Sequence, residues 1–191
     1  MKMIKHITLG ILIAGAAINF TSCKGKQKGE SPKGEVAIKV ACSGKGYFST
    51  KSKFRASAVG ESLDQATAKK KAMSNAKAEL AGSIQTTIKA TIDNYVNSRE
   101  FNNKETVEER FEGLSREVID QKLSGVTLIC EEPFLTAAGK TKYYICLELG
   151  ADELVDAINE RLTKDESLKI DYDYEKFKET FNKEMEKMEG K

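Results

Sequence analysis

The sequence predicts an α+β fold: a small antiparallel sheet packed against long helices, in the approximate order ββααββα, with a further amphipathic helix at the C-terminus. Three observations carry this. Residues 34–43 and 54–59 are short stretches of strand character bounded by turn residues. Residues 62–96 are rich in alanine and lysine and carry apolar residues at three- and four-residue steps. Residues 126–130 and 142–149 flank a stretch with one proline and one glycine, the pattern of a hairpin.

Each element has its own signals. Val36, Ile38, Val40 and Cys42 alternate with polar or small residues before the turn SGKG, so the first strand is expected to aim them at the core. The second strand, 54–59, follows a short loop, which suits an antiparallel pair. Ser62 with Gln65 three residues later reads as a capping box. The helix it opens carries Met73, Ala76, Leu80, Ile84, Ile88, Ile92 and Tyr95 on one stripe and would be about 52 Å long, with Gly82 a place to bend. Asn102 and Asn103 interrupt the pattern. A second helix aligns Val107, Phe111, Leu114, Val118 and Leu123, and Gly125 suits its end. Pro133 is expected to lead out of the first hairpin strand into the turn. Asp152 is expected to cap a third helix bearing Leu154, Val155, Ile158 and Leu162. In the last segment Tyr174, Phe177, Phe181, Met185 and Met188 share one face among lysines and glutamates. That face reads either as a helix packed on the domain or as a partner-binding surface.

Composition excludes several activities. The chain has 191 residues, 31 basic and 29 acidic, and no tryptophan. This balance is no footprint for nucleic acid. Its one histidine, His6, lies near the N-terminus, so the body offers no imidazole for a catalytic triad or a metal site. No phosphate-binding loop of the G-x-x-x-x-G-K-[ST] kind and no C-x-x-C pair occurs. Glu131 and Glu132 are adjacent, but neighbours on a strand point to opposite faces and make a poor acid–base pair. No cofactor, no metal and no enzymatic activity are expected. Cys130 and Cys146 stand directly opposite each other if the hairpin turns at 137–139. A Cys130–Cys146 disulfide and buried free thiols are the two alternatives.

The N-terminus supplies an address. Lys2 and Lys5 precede twelve uncharged residues, Ile7–Ile18, then Thr21 and Ser22 stand before Cys23. The apolar run is too short to span a bilayer, which takes about 20 residues, and has the anatomy of a secretory signal. The junction resembles the lipobox of bacterial lipoproteins, with Phe20 where that box usually has leucine. The resemblance implies that Cys23 is lipidated and becomes the first residue after cleavage. The division expected is a signal peptide over 1–22, a flexible tether over 23–34, an α+β domain over 35–163 and the C-terminal helix over 164–191. Lys24, Gly25 and Lys26 follow the cysteine in place of acidic residues, and by the same resemblance this implies an outer-membrane lipoprotein facing the periplasm.

Residues 47–84 carry a second resemblance, in Ala58-x-Gly60-x-Ser62 followed by Ala66, Ala72, Ala76, Leu80 and Ala81. This stretch resembles the LPP family of small bacterial lipoproteins, typified by the Helicobacter membrane-associated lipoprotein, and with the hairpin and third helix the likeness extends over 36–163. It implies an exported, lipid-anchored α+β domain without catalytic residues. Two functions are carried forward: a non-catalytic interaction or structural module with a membrane anchor and a protein partner, and a periplasmic protein that binds a small ligand or lipid.

Overall fold

A computed structural model describes Gly34, Val36 and residues 38–168 and 172–189. The stretch expected to be a signal peptide, Cys23 and the expected tether up to residue 33 lie outside the described residues. The chain divides into two units, Met1–Ile38 and Lys39–Lys191. In the first, Val36 and Ile38 are exposed. Every helix and strand below belongs to the second.

Among the described residues the fold is α+β, with a three-stranded antiparallel sheet and four helices. In chain order these are β1 (Lys53–Ser62), α1 (Gln65–Asn97), α2 (Lys104–Leu123), β2 (Thr127–Leu135), β3 (Thr141–Gly150), α3 (Ala151–Thr163) and α4 (Tyr174–Met188). The sheet order is β1-β3-β2. The strand expected over 34–43 is not formed among its described residues: 38–40 are coil and 41–42 a turn. Val40 is exposed and Cys42 alone of that series is buried, so the alternation does not mark a core face. A 3-10 turn, Lys45–Tyr47, follows.

β3 is the central strand and is enclosed on both faces. Tyr143, Ile145, Leu147 and Leu149 join the main core, together with Phe54 and Ala56 of β1. The helix α1 supplies Ala68, Ala72, Ala76, Leu80, Ile84, Ile88, Ile92 and Tyr95 to the same core. The small residues come first, where the helix lies closest to the sheet. At Gly60 the approach is extreme: a Cβ there would stand 2.3 Å from the Ala72 nitrogen and 2.4 Å from the Ala68 oxygen. Gly60 is therefore needed for the close contact of helix and strand.

Several boundaries differ from expectation for local reasons. The α1 cap is Asp64, whose carboxylate accepts from the Thr67 amide at 2.7 Å, while Ser62 closes β1 and its hydroxyl accepts from the Asp64 amide. α1 runs unbroken past Gly82, about 50 Å in all. Pro133 sits inside β2, because β2 is an edge strand and a missing N–H costs nothing on the open side. The turn comes later, where Gly139 at φ 73° lets the Thr136 and Lys140 backbones meet. α3 starts from Gly150 without a side-chain cap, and Asp152 lies in its first turn.

The C-terminal helix is part of the body. Phe177, Phe181 and Met185 are buried in the main core. Tyr95, Phe111, Tyr172 and Phe177 form a ring cluster with centroids 5.4–6.1 Å apart, and Phe54 meets Phe181 at 6.3 Å. The Tyr95 hydroxyl accepts from the Asp173 amide at 2.8 Å just ahead of α4. No domain boundary falls at 163/164, since Lys39–Lys191 is one unit.

Candidate functional site

The sheet face turned away from the helices carries the cysteines. Along β3 the side chains of Tyr144, Cys146 and Glu148 alternate with those of the core, and Cys146 is fully buried yet outside the main core cluster. The segment around Cys42–Ser49 packs here. Ser57 donates its hydroxyl to the Cys42 carbonyl at 2.6 Å, Arg55 donates through Nη1 to the Gly46 carbonyl at 3.1 Å, and the Arg55 amide donates to the Ser49 hydroxyl at 3.0 Å.

This packing brings Cys42 onto β2. Cys42 and Cys130 form a disulfide with Cα atoms 5.6 Å apart, closing a sequence separation of 88 residues. The hairpin register places Cys130 opposite Cys146, as the turn at 137–139 requires. The Cys130–Cys146 disulfide is nevertheless not formed, because Cys130 is taken by Cys42 and Cys146 is a free buried thiol. Burial pushes the Cys146 thiol above its ordinary range, which keeps it protonated and unreactive. Sequence reasoning missed the Cys42 partner because it placed Cys42 in a core strand. The SGKG turn just after it was the available signal of a loop.

Charge on this face is paired. The Glu148 carboxylate lies between Lys53 Nζ at 2.5 Å and Arg55 Nε at 2.8 Å. Burial pulls its pKa upward, but the two cationic hydrogen bonds outweigh burial and hold it below the usual carboxylate range. Glu131 binds Lys69 of α1 at 2.8 Å, while Glu132 lies close to the disulfide on the opposite face, so this adjacent pair is divided as strand geometry requires.

Two further clusters lie elsewhere. Asp93, Glu108 and Glu112 converge near the α1–α2 contact, and burial with the nearby Asp93 carboxylate raises the Glu108 pKa. Lys89 already supplies a cation there, bound to both Glu112 and Asp93. Asp165 accepts from Arg110 and Ser167, which hold its carboxylate low and fix the loop after α3.

A groove of about 590 Å³ runs between α2 and α3. Its cations are engaged: Lys122 binds Glu153 at 2.8 Å, Arg161 binds Glu117 at 3.0 Å and Lys164 binds Glu160 at 2.6 Å. An apolar groove over Ile88, Ile92 and Ile119 measures about 200 Å³, below the roughly 300 Å³ at which ligand pockets begin.

The α4 face is packed on the domain, the first of its two expected readings. Phe177, Phe181 and Met185 are not available to a partner, and only Tyr174 and Met188 at the helix ends are part-exposed. The Tyr174 hydroxyl donates to Asp156 of α3. Among the described residues no helix is long and apolar enough to cross a membrane. No family model, no curated protein and no solved structure matches this chain.

Proposed function

We propose that the protein is a lipid-anchored lipoprotein of the bacterial cell envelope, of the LPP kind, that works as a non-catalytic interaction or structural module. Its acyl anchor is at Cys23, and its body faces the periplasm from the outer membrane and meets a protein partner there. The observation that carries this reading is the Cys42–Cys130 disulfide. Such bonds persist in oxidising compartments such as the periplasm and are rare in the cytosol. The disulfide supports export independently of the basic front, short apolar run and cysteine of the N-terminus. Two or three acyl chains on Cys23 would hold the protein firmly, since each buried methylene contributes about 0.8 kcal/mol. The ligand-binding alternative draws no support from the two grooves described above, one lined by engaged ion pairs and the other small.

The test is cross-linking and affinity purification from native membranes, comparing the full chain with Cys23→Ala. Mass spectrometry of the N-terminal peptide should show an acylated Cys23, and a stoichiometric partner should be lost with the anchor. An unmodified N-terminus would overturn the anchor. A clean preparation without partner would overturn the interaction role.

A further inference from the structure

The hairpin end of the sheet carries apolar side chains that none of the described residues covers. Among the described residues from Lys39 onward, the large apolar ones that stand exposed are Val40, Val59, Leu63, Leu128, Phe134 and Leu135. Four of these lie towards one end of the sheet, Val59 and Phe134 on the face away from the helices and Leu135 on the other. Leu135 pairs across Thr141 with Ser62, next to Leu63, and Phe134 pairs across Lys142 with Glu61. Val59 stands opposite Tyr144, whose ring meets Phe134 edge-on at 5.5 Å. Leu63 is 76 % and Leu135 78 % exposed, against 47 % for Phe134 and 42 % for Val59. Scattered apolar residues on a surface are ordinary, but a cluster rimmed by charge marks an interaction surface.

The rim carries both signs, with Glu132 and Asp64 exposed and two lysines to one carboxylate at Glu61. Lys140 and Lys142 share the single carboxylate of Glu61, and Lys71 donates to the Glu61 carbonyl. Protruding leucines with lysines just behind them match a phospholipid interface, where acyl chains take the leucines and phosphates take the ammonium groups. The turn itself, Thr136–Lys140, is small and self-satisfied: the Thr136 amide donates to the Lys140 carbonyl, and the Lys140 amide to the Thr136 hydroxyl. It would enter an interface without unpaired backbone at those positions. The chain enters the body at Cys42, on the same sheet face as Phe134 and Val59, only 19 positions after Cys23.

We infer that the hairpin end, through Leu63, Phe134 and Leu135 with Lys140 and Lys142, rests on a phospholipid surface. This rests on the anchoring proposed above and adds which end of the body meets the bilayer. The chain has no tryptophan, so Leu135→Trp makes a single reporter at a site exposed enough to accept it. Glu105→Trp, exposed at the start of α2 beside the far end of α1, is the control.

Both variants of the full acylated protein are placed in vesicles of phosphatidylethanolamine and phosphatidylglycerol, with or without bromine-labelled acyl chains. The expected result is a blue-shifted emission quenched by bromine at 135, and an unshifted, unquenched emission at 105. An unshifted, unquenched emission at 135 at saturating lipid overturns the inference, whatever the N-terminal mass shows about acylation. A blue shift without bromine quenching also overturns it, since a protein then covers this end. Failure of the anchor is read separately, as an unmodified Cys23 peptide.

Discussion

Replacing Gly60 by alanine places one methyl group where α1 crosses β1. The new Cβ would lie 2.3 Å from the Ala72 nitrogen and 2.4 Å from the Ala68 oxygen, with the Lys71 carbonyl carbon at 2.9 Å. All three are backbone atoms, so no side chain can swing aside. Ordinary contact needs about 3.5 Å, so strand and helix must separate by about 1 Å. A gap of that size forfeits a quarter to a half of each dispersion well it opens, and Ala68, Ala72 and Ala76 all face the sheet here. Overpacking of this kind costs typically 1–3 kcal/mol, and rigid backbone on both sides puts Gly60→Ala at about 3 kcal/mol. In a domain of this size that lowers Tm by roughly 6–12 °C. The comparison is Gly82→Ala, on the same helix, where a Cβ meets nothing within 4 Å. Alanine is the better helix former by about 1 kcal/mol, so this variant should melt higher. Thermal and urea unfolding of the oxidised proteins, followed by circular dichroism, would measure both. A Gly60→Ala protein as stable as the parent would refute the close-approach reading.

Cys42→Ser should cost about 4–5 kcal/mol by the loop-entropy relation for a separation of 88 residues, measured by urea unfolding. Non-reducing peptide mapping of that variant should show Cys130 and Cys146 unpaired, since burial keeps the Cys146 thiol protonated. Phe177→Ala, at the centre of the four-ring cluster, should lose about 3–5 kcal/mol, and an unchanged melt would mean that α4 does not hold the core. Glu148 is held below the usual carboxylate range when folded, so its stabilisation is present above the unfolded pKa near 4.3 and lost as pH falls through the lower folded value. Glu148→Gln should therefore flatten the fall in Tm with acid and lower Tm at neutral pH.

The helices were legible because burial and periodicity coincide in them. Leu80, Ile84, Ile88, Ile92 and Tyr95 repeat at helical steps and are all buried, and Leu154, Val155, Ile158 and Leu162 behave alike. The hairpin register was legible too, since the turn length fixes Cys130 opposite Cys146. The 36–42 stretch misled because alternation reports strand propensity and not whether a partner strand exists. The Cys42–Cys130 pairing depends on where a loop lands, and no local pattern encodes that. The α4 stripe was ambiguous in sequence, because a face that docks on its own core and a face that docks on another protein have the same composition. The need for glycine at position 60 comes from Ala68 and Ala72, whose approach to it appears only in three dimensions.

The disulfide also decides how the body bears load. A pull on the N-terminal segment enters at Cys42 and crosses to Cys130 through the sulfur bridge. Residues 43–129, with the whole of β1, α1 and α2, lie inside the closed loop. They bypass the tension and cannot be drawn out like thread. Extension reaches only the chain after Cys130, beginning with the β2–β3 hairpin. Reduction turns this short circuit into a continuous line, and the same pull would then strip β1 first.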